Sequence, residues 1–333
     1  MPWAAWKIIL KRVYTMWGFH NLSLLGAGVA FFIFLALTPL LSATVMIYGL
    51  VGNVAMVHRQ IASLTTVLPA DVSSVIEEQL VAIVTTKAGV TGFALVVALF
   101  FAIYGGMRAA NGLIGALNTI NEEHETRGFV PRTFRVAALT LAGIFIALVG
   151  IASAGTFAWL QTQAQNLLGP NLELLFKAIT WTAAILLGSV GFAIVMRYGP
   201  DRIPARWRWL APGAILATVL WIAISFGFAF YVAYISDYNA TYGSLSAIAV
   251  FLMWLFLSAY GMLGGALLNA EIERQTTVDT TTGPPVPQGE RGAVLADLAE
   301  GDLSIEQWIK KSHRRAARRQ ILGFTRAARN GED

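Results

Sequence analysis

The chain has 333 residues, 56% of them hydrophobic and only 13% charged, with a mean hydropathy of +0.62 and a formal net charge of +5. A soluble domain carries about 25% charged residues, so this composition argues against a water-soluble fold. There is no cysteine, which excludes disulfides, thiolate metal sites and cysteine nucleophiles.

The positions of the charges then give the architecture. Asp, Glu, Lys and Arg are missing from 13–58, 88–107, 136–172, 178–196, 209–236 and 238–270. A helix needs roughly 20 apolar residues to cross a hydrocarbon core. Each gap therefore holds one span, at about 22–50, 91–116, 136–160, 177–197, 209–235 and 244–270. Stretches such as AILLGSVGFAIVM are apolar all round. Barrel strands would alternate, so the spans are helices. The fold class is all-α: a polytopic membrane protein of six transmembrane helices with interfacial amphipathic helices.

Residues 1–20 read as a helix lying on the membrane. Trp3, Trp6, Ile9, Leu10, Val13 and Trp17 recur at helical spacing, with Lys7 and Lys11 on another face. No cleavable signal peptide is expected here. The first span carries Pro39, which frees a carbonyl and kinks a helix. Gly26 and Gly28, with Gly261, Gly264 and Gly265 in the sixth span, allow either tight packing or a lateral groove between these two helices. Residues 53–90 form the large outer segment, with two short amphipathic helices split at Pro69.

Arg108 lies inside the second span, with Asn111 on nearly the same face. Asn269 and Glu271 sit at a similar depth in the sixth. Arg108 and Glu271 either pair, with Asn269 and Asn118 nearby, or reach water separately; intramembrane charges usually seek partners. These four residues make the inner candidate cluster. Asp237, Asn239 and Tyr242 make the outer one, which turn chemistry around Gly243 explains equally well.

The loop Asn121–Arg127 (NEEHETR) is dense in acids. Its residues do not show the converging ligands of a metal site, and a solvated loop is the plainer reading. No metal site, cofactor-binding motif, nucleophile motif or phosphate loop is evident. After the six-helix domain of 21–274, residues 275–303 are rich in Pro, Gly and Thr and are expected to be a disordered linker. A basic helix over 304–333 follows, opened by a capping box at Ser304 and Gln307. Its cations suit anionic lipid headgroups better than nucleic acid, and a solvated tail is an equal alternative.

Of the 24 Lys and Arg, 21 fall on one side of the six-span layout. By the positive-inside rule both ends are cytoplasmic.

Residues 26–52, 104–135 and 198–273 resemble the YihY/BrkB family, bacterial inner-membrane proteins formerly labelled ribonuclease BN-like. The most specific pieces are Asn239–Gly243 (NATYG), the Trp254 segment and Gly264–Glu271 (GGALLNAE). The first span departs from the family pattern at Phe31–Phe32, and the chain beyond Gln275 matches no part of it. The resemblance implies a bacterial plasma membrane and six helices, and no settled activity. Three functions follow as expectations. The leading one is a transporter or flippase of a lipid or other amphiphile, with membrane lipids as partners and no catalytic role. The second is a non-transporting scaffold that binds a partner. The third is a membrane-bound hydrolase, for which no acid/base constellation is visible. Small-residue helix faces are compatible with a homodimer.

Overall fold

The computed structural model describes residues 3–51, 91–145, 170–234 and 245–298. Seven helices cover most of them: α1 (Trp3–Phe19), α2 (Leu22–Val51), α3 (Thr91–Ile120), α4 (residues 129–145, where that described stretch ends), α5 (Pro170–Tyr198), α6 (Trp207–Tyr234) and α7 (Ser246–Gln275). The outer segment 53–90, the outer cluster Asp237, Asn239 and Tyr242, and the tail helix 304–333 lie outside the described residues.

Among the described residues, four helices are long and apolar enough to cross a membrane: Phe93–Ile120, Ala178–Tyr198, Trp207–Ala233 and Ile248–Gln275. A fifth path arises if α1 and Leu22–Leu37, bent by 64° at their junction, count together. The expected third span is described only to residue 145. The helices overrun the expected spans: α3 reaches Ile120 and α7 reaches Gln275. Charge-free gaps mark where a helix can sit in lipid, whereas backbone hydrogen bonding carries it on into water.

The helices pack in the order α3, α2, α7, α6, α5, with α1 laid on α7 and α4 on α3. Half of the apolar stretch of α7 is buried within the protein, against 17–22% for the other three spans, so α7 is the central post. Small residues set the contacts. A side chain at Gly105 would meet the Ala36 backbone at 2.9 Å, and one at Gly264 would meet the Trp17 ring at 2.4 Å. Of the glycines read from sequence, Gly26 packs on Tyr260 of α7, Gly261 and Gly265 pack on α6, Gly264 packs on α1, and Gly28 has open space around it. Polar links between the described helices include Ser189 with Thr218 at 3.0 Å between α5 and α6, and the Trp254 indole N–H to Ser225 Oγ at 3.1 Å between α7 and α6. α2 runs as one helix through Pro39. The 64° bend falls at the α1–α2 junction, where Asn21 adopts φ 51°. Asn tolerates this left-handed conformation better than most residues.

The expected disordered linker is a correction. Residues 276–298 fold into a strap with Thr280 and Leu295 fully buried. It lies along the α5–α6 connection through Arg206 N to Thr280 O (2.8 Å), Thr282 N to Pro204 O (3.0 Å) and Ile203 N to Gly292 O (3.0 Å). Arg291 ties the strap internally, donating to Ala296 O at 2.7 Å and Thr277 O at 2.9 Å. Composition measures how much apolar surface a segment can bury. This strap is held by backbone-to-backbone and side-chain-to-backbone hydrogen bonds, which composition does not register.

Candidate functional site

The end of the bundle that carries most of the arginines, called here the basic end, holds a layered set of buried ion pairs. In α1 the buried side chains are Ala5, Ile9, Arg12 and Met16, one continuous stripe that includes a cation. Trp3 and Leu10, read from sequence as part of the apolar face, are exposed. The Arg12 guanidinium meets Glu271 at 3.0 Å and also donates to Gln275 Oε1 at 2.7 Å. Glu271 is fully buried and faces a second cation, Arg274, at 3.6 Å. Arg274 reaches across to Glu122 at 2.6 Å. The four charges cancel, which is what allows them to be buried together.

A second layer joins Arg202 to Glu273 at 2.6 Å, with Thr280 Oγ1 donating to the same carboxylate and Asn121 accepting from Arg202. A third joins Arg127 to Glu125 at 2.6 Å and to Asp201 at 3.4 Å. Asn118 sits between them, accepting from Asp201 N and donating to Glu125. The acidic loop is therefore not simply solvated. Glu122, Glu123 and Glu125 each bind another segment or a neighbour, Glu123 by accepting from Val294 N at 2.7 Å. His124 and Thr126 are the exposed members of the loop, and the others are half-buried. Among the described residues no three His, Asp or Glu converge as metal ligands.

The environment shifts several of these groups. The hydrogen bond from Arg127 holds the Glu125 carboxyl below its ordinary range. Burial alone would raise the Asp201 carboxyl, but hydrogen bonds from the Thr126 amide and hydroxyl and the charge of Arg127 outweigh it and lower it. His20, at the α1–α2 junction, is pushed down to about 4 by burial, with Arg274 acting the same way and Glu122 opposing.

A pH dependence follows. His20 stays neutral in the folded protein while an unfolded chain takes up a proton near pH 6.5. Stability is therefore lost as pH falls from about 6.5 to about 4, because the unfolded state binds the extra proton. The loss from pH 7 to pH 5 is about 2 kcal/mol. The lowered carboxyls act in a more acid window, since their contribution disappears only as pH falls through their depressed values. Unfolding titrations in detergent at pH 7 and pH 5 test this: His20→Gln should remove most of the slope, and an unchanged slope would reject the assignment.

The inner candidate residues are separated by the fold. Asn269 and Glu271 are buried, while Arg108 is exposed on α3. The Arg108–Glu271 pair is a correction: Glu271 takes Arg12 and Arg274, and Arg108 donates to the Tyr104 hydroxyl at 3.0 and 3.2 Å. Asn118 belongs to the third layer rather than to either of them. Asn111 accepts from Arg132 at 2.7 Å on the same exposed side as Arg108. Asn269 is structural: its Oδ1 accepts from Gly213 N at 2.7 Å and its Nδ2 donates to Leu210 O at 2.9 Å. It thereby satisfies backbone groups beside Pro212 in α6. An apolar hollow of about 350 Å³ lies between α6 and α7, lined by Gly227, Phe228, Tyr231, Met253 and their neighbours.

Arg12 is the residue that sequence reasoning missed. Its position at i+3 from Ile9 and i−4 from Met16 was the available signal.

A sequence profile of the family described as "Virulence factor BrkB" matches residues 13–289. The putative ribonuclease-like protein YfkH of Bacillus subtilis is 27% identical over 273 residues, covering 80% of this chain and 95% of YfkH. A UPF0761 membrane protein of Alkalilimnicola ehrlichii is 30% identical over 248 residues, covering 72% of this chain and 53% of that protein. Another from Nitrosospira multiformis is 25% identical over 268 residues, covering 76% and 58% respectively. The chain thus spans nearly all of YfkH but little more than half of these two UPF0761 proteins. No solved structure matches it. With a profile match over most of its length and helices built to cross lipid, the chain is a multi-pass membrane protein of the BrkB family.

Proposed function

We propose that this protein sits in a bacterial inner membrane with both ends in the cytoplasm, and that it is a non-enzymatic transporter or flippase for an anionic lipid or other amphiphile. The placement of 21 of 24 cations on one side of the six-span layout supports the orientation. The observation that carries the functional reading is Arg108. It is exposed on the outer face of a membrane-crossing helix, and the Tyr104 hydroxyl is its hydrogen-bond partner. Its guanidinium carbon stands 5.3 Å from the Tyr104 ring centre. A charge within a membrane-crossing helix is disfavoured most at the bilayer centre and less towards an end, and a cation left on the lipid side invites an anionic partner. Arg132, exposed and bound to Asn111 three residues on from Arg108, is a further cation near the same end of α3. A guanidinium suits the oxygens of a phosphate or carboxylate headgroup.

A static scaffold is the second reading, and the buried ion layers favour it, because they fix the basic end as a closed unit.

Lipid translocation in proteoliposomes separates the two. A fluorescent phospholipid is placed in both leaflets, the outer pool is bleached, and loss of the protected pool is followed. Wild type should lose it well above the protein-free rate, and Arg108→Ala should slow that loss severalfold without altering thermal stability. Equal slow loss in wild type, variant and empty vesicles would reject transport of this lipid and favour the scaffold.

A further inference from the structure

For a helix in water, α1 is turned inside out. Its buried stripe of Ala5, Ile9, Arg12 and Met16 includes the cation that meets Glu271. The opposite face carries Trp3, Lys7, Leu10, Lys11, Tyr14 and Gly18, a run whose spacing keeps it on one side of the helix. Trp3 is 74% exposed, Leu10 55% and Tyr14 84%. Lys7 and Lys11 stand exposed among them. α1 contains no Asp or Glu, so the two ammonium groups have no counter-charge on their own helix.

The Arg12 contacts fix the depth of this face. α7 is free of charge up to Ala270, and the next residue is Glu271. Arg12 holds α1 against Glu271 and Gln275, so α1 lies where α7 leaves the hydrocarbon. α1 is not needed to complete a span. α2 has 30 residues, about 45 Å of helix against a core of about 30 Å. The 64° bend between the two turns α1 away from the crossing direction. The headgroup zone accepts Trp and Tyr rings, and Lys extends its ammonium from an apolar stem into it. We propose that the outer face of α1 docks on anionic phospholipid, with Trp3, Leu10 and Tyr14 seated at the top of the acyl chains and Lys7 and Lys11 against the phosphates. A zwitterionic headgroup carries its own cation and satisfies the lysines less well. The inference holds whether the bundle transports or acts as a scaffold.

The native chain has no cysteine, so a single label can be placed on this face. Gly18→Cys lies seven residues on from Lys11, where an added side chain meets nothing within 4 Å. The full chain, carrying a fluorophore at that site, is put into nanodiscs of phosphatidylcholine. Spin-labelled phosphatidylglycerol or spin-labelled phosphatidylcholine, with the nitroxide near the top of one acyl chain, then replaces part of the lipid. Phosphatidylglycerol should reach half-quenching at about a fivefold lower mole fraction, the effect of one lysine near an anionic surface. The preference should disappear in the Lys7→Gln, Lys11→Gln double variant, with the melting temperature unchanged. Equal quenching by the two lipids, or a preference that survives the double variant, would overturn the proposal. So would quenching by neither lipid, which would show the face covered by protein.

Discussion

Glu271→Ala is expected to destabilise the protein by about 3–5 kcal/mol, the range found when one member of a buried ion pair is removed. Glu271 is fully buried between Arg12 at 3.0 Å and Arg274 at 3.6 Å, and both arginines are themselves almost wholly buried. Arg274 keeps Glu122 after the change, whereas Arg12 loses the Glu271 carboxylate and keeps its hydrogen bond to the neutral Gln275 amide. The cost is therefore mostly that of a buried cation left without this carboxylate, and it should be relieved by removing the cation too. Arg12→Met combined with Glu271→Ala should recover a good part of the loss. Unfolding of all four proteins by titration with denaturing detergent closes the double-mutant cycle. A loss below about 1 kcal/mol for Glu271→Ala, with no coupling to Arg12, would mean that water reaches this layer. Arg108→Ala is the contrast: on an exposed site, it should stay within about 0.5 kcal/mol of wild type.

Gly213→Ala should be nearly as damaging through sterics alone. The added methyl would sit 2.1 Å from the carbonyl oxygen of Gly265 and 2.5 Å from the Asn269 amide. One obstacle is backbone and the other is a side chain held by two hydrogen bonds, so neither can swing aside. Overpacking costs about 1–3 kcal/mol, and loss of the Asn269 bonds to Gly213 N and Leu210 O adds about 1–3 kcal/mol. Gly227→Ala in the same helix is the control, since a methyl there meets nothing within 4 Å. Equal melting temperatures for the two variants would show that α6 and α7 are not in this close contact in the membrane.

Charge separation along the chain was enough to read an all-helical membrane protein. Long charge-free stretches have few uses outside a bilayer, and the structure supplies helices of that length wherever such a stretch is described from end to end. The glycine positions were legible in the same way. Gly264 and Gly265 could be named as close-contact sites because only a missing side chain permits close approach, but the partners, Trp17 and Gly213, could not. The sequence placed Asn269 in an inner polar cluster with Arg108, Asn111 and Glu271, whereas its bonds to the backbone around Pro212 depend on a helix 56 residues away.

The sequence by itself determined which side chains had to be reconciled with a membrane. Hydropathy and charge are local properties, fixed by the order of the residues. It could not determine how those charges pair. Arg12 and Glu271 are 259 residues apart, and Arg108 was an equally reasonable partner by depth alone. Only the packing of α1 across α7 brings Arg12 to Glu271 and leaves Arg108 facing outward. The strap of 276–298 was decided in the same manner. Its polar composition hides that Ala293, Leu295 and Ala296 are buried, and it is docked where Pro204, Arg206 and Glu123 present backbone and carboxylate partners. A hydrogen bond needs its members within about 3 Å and a close ion pair within about 4 Å, and those distances are set by tertiary packing.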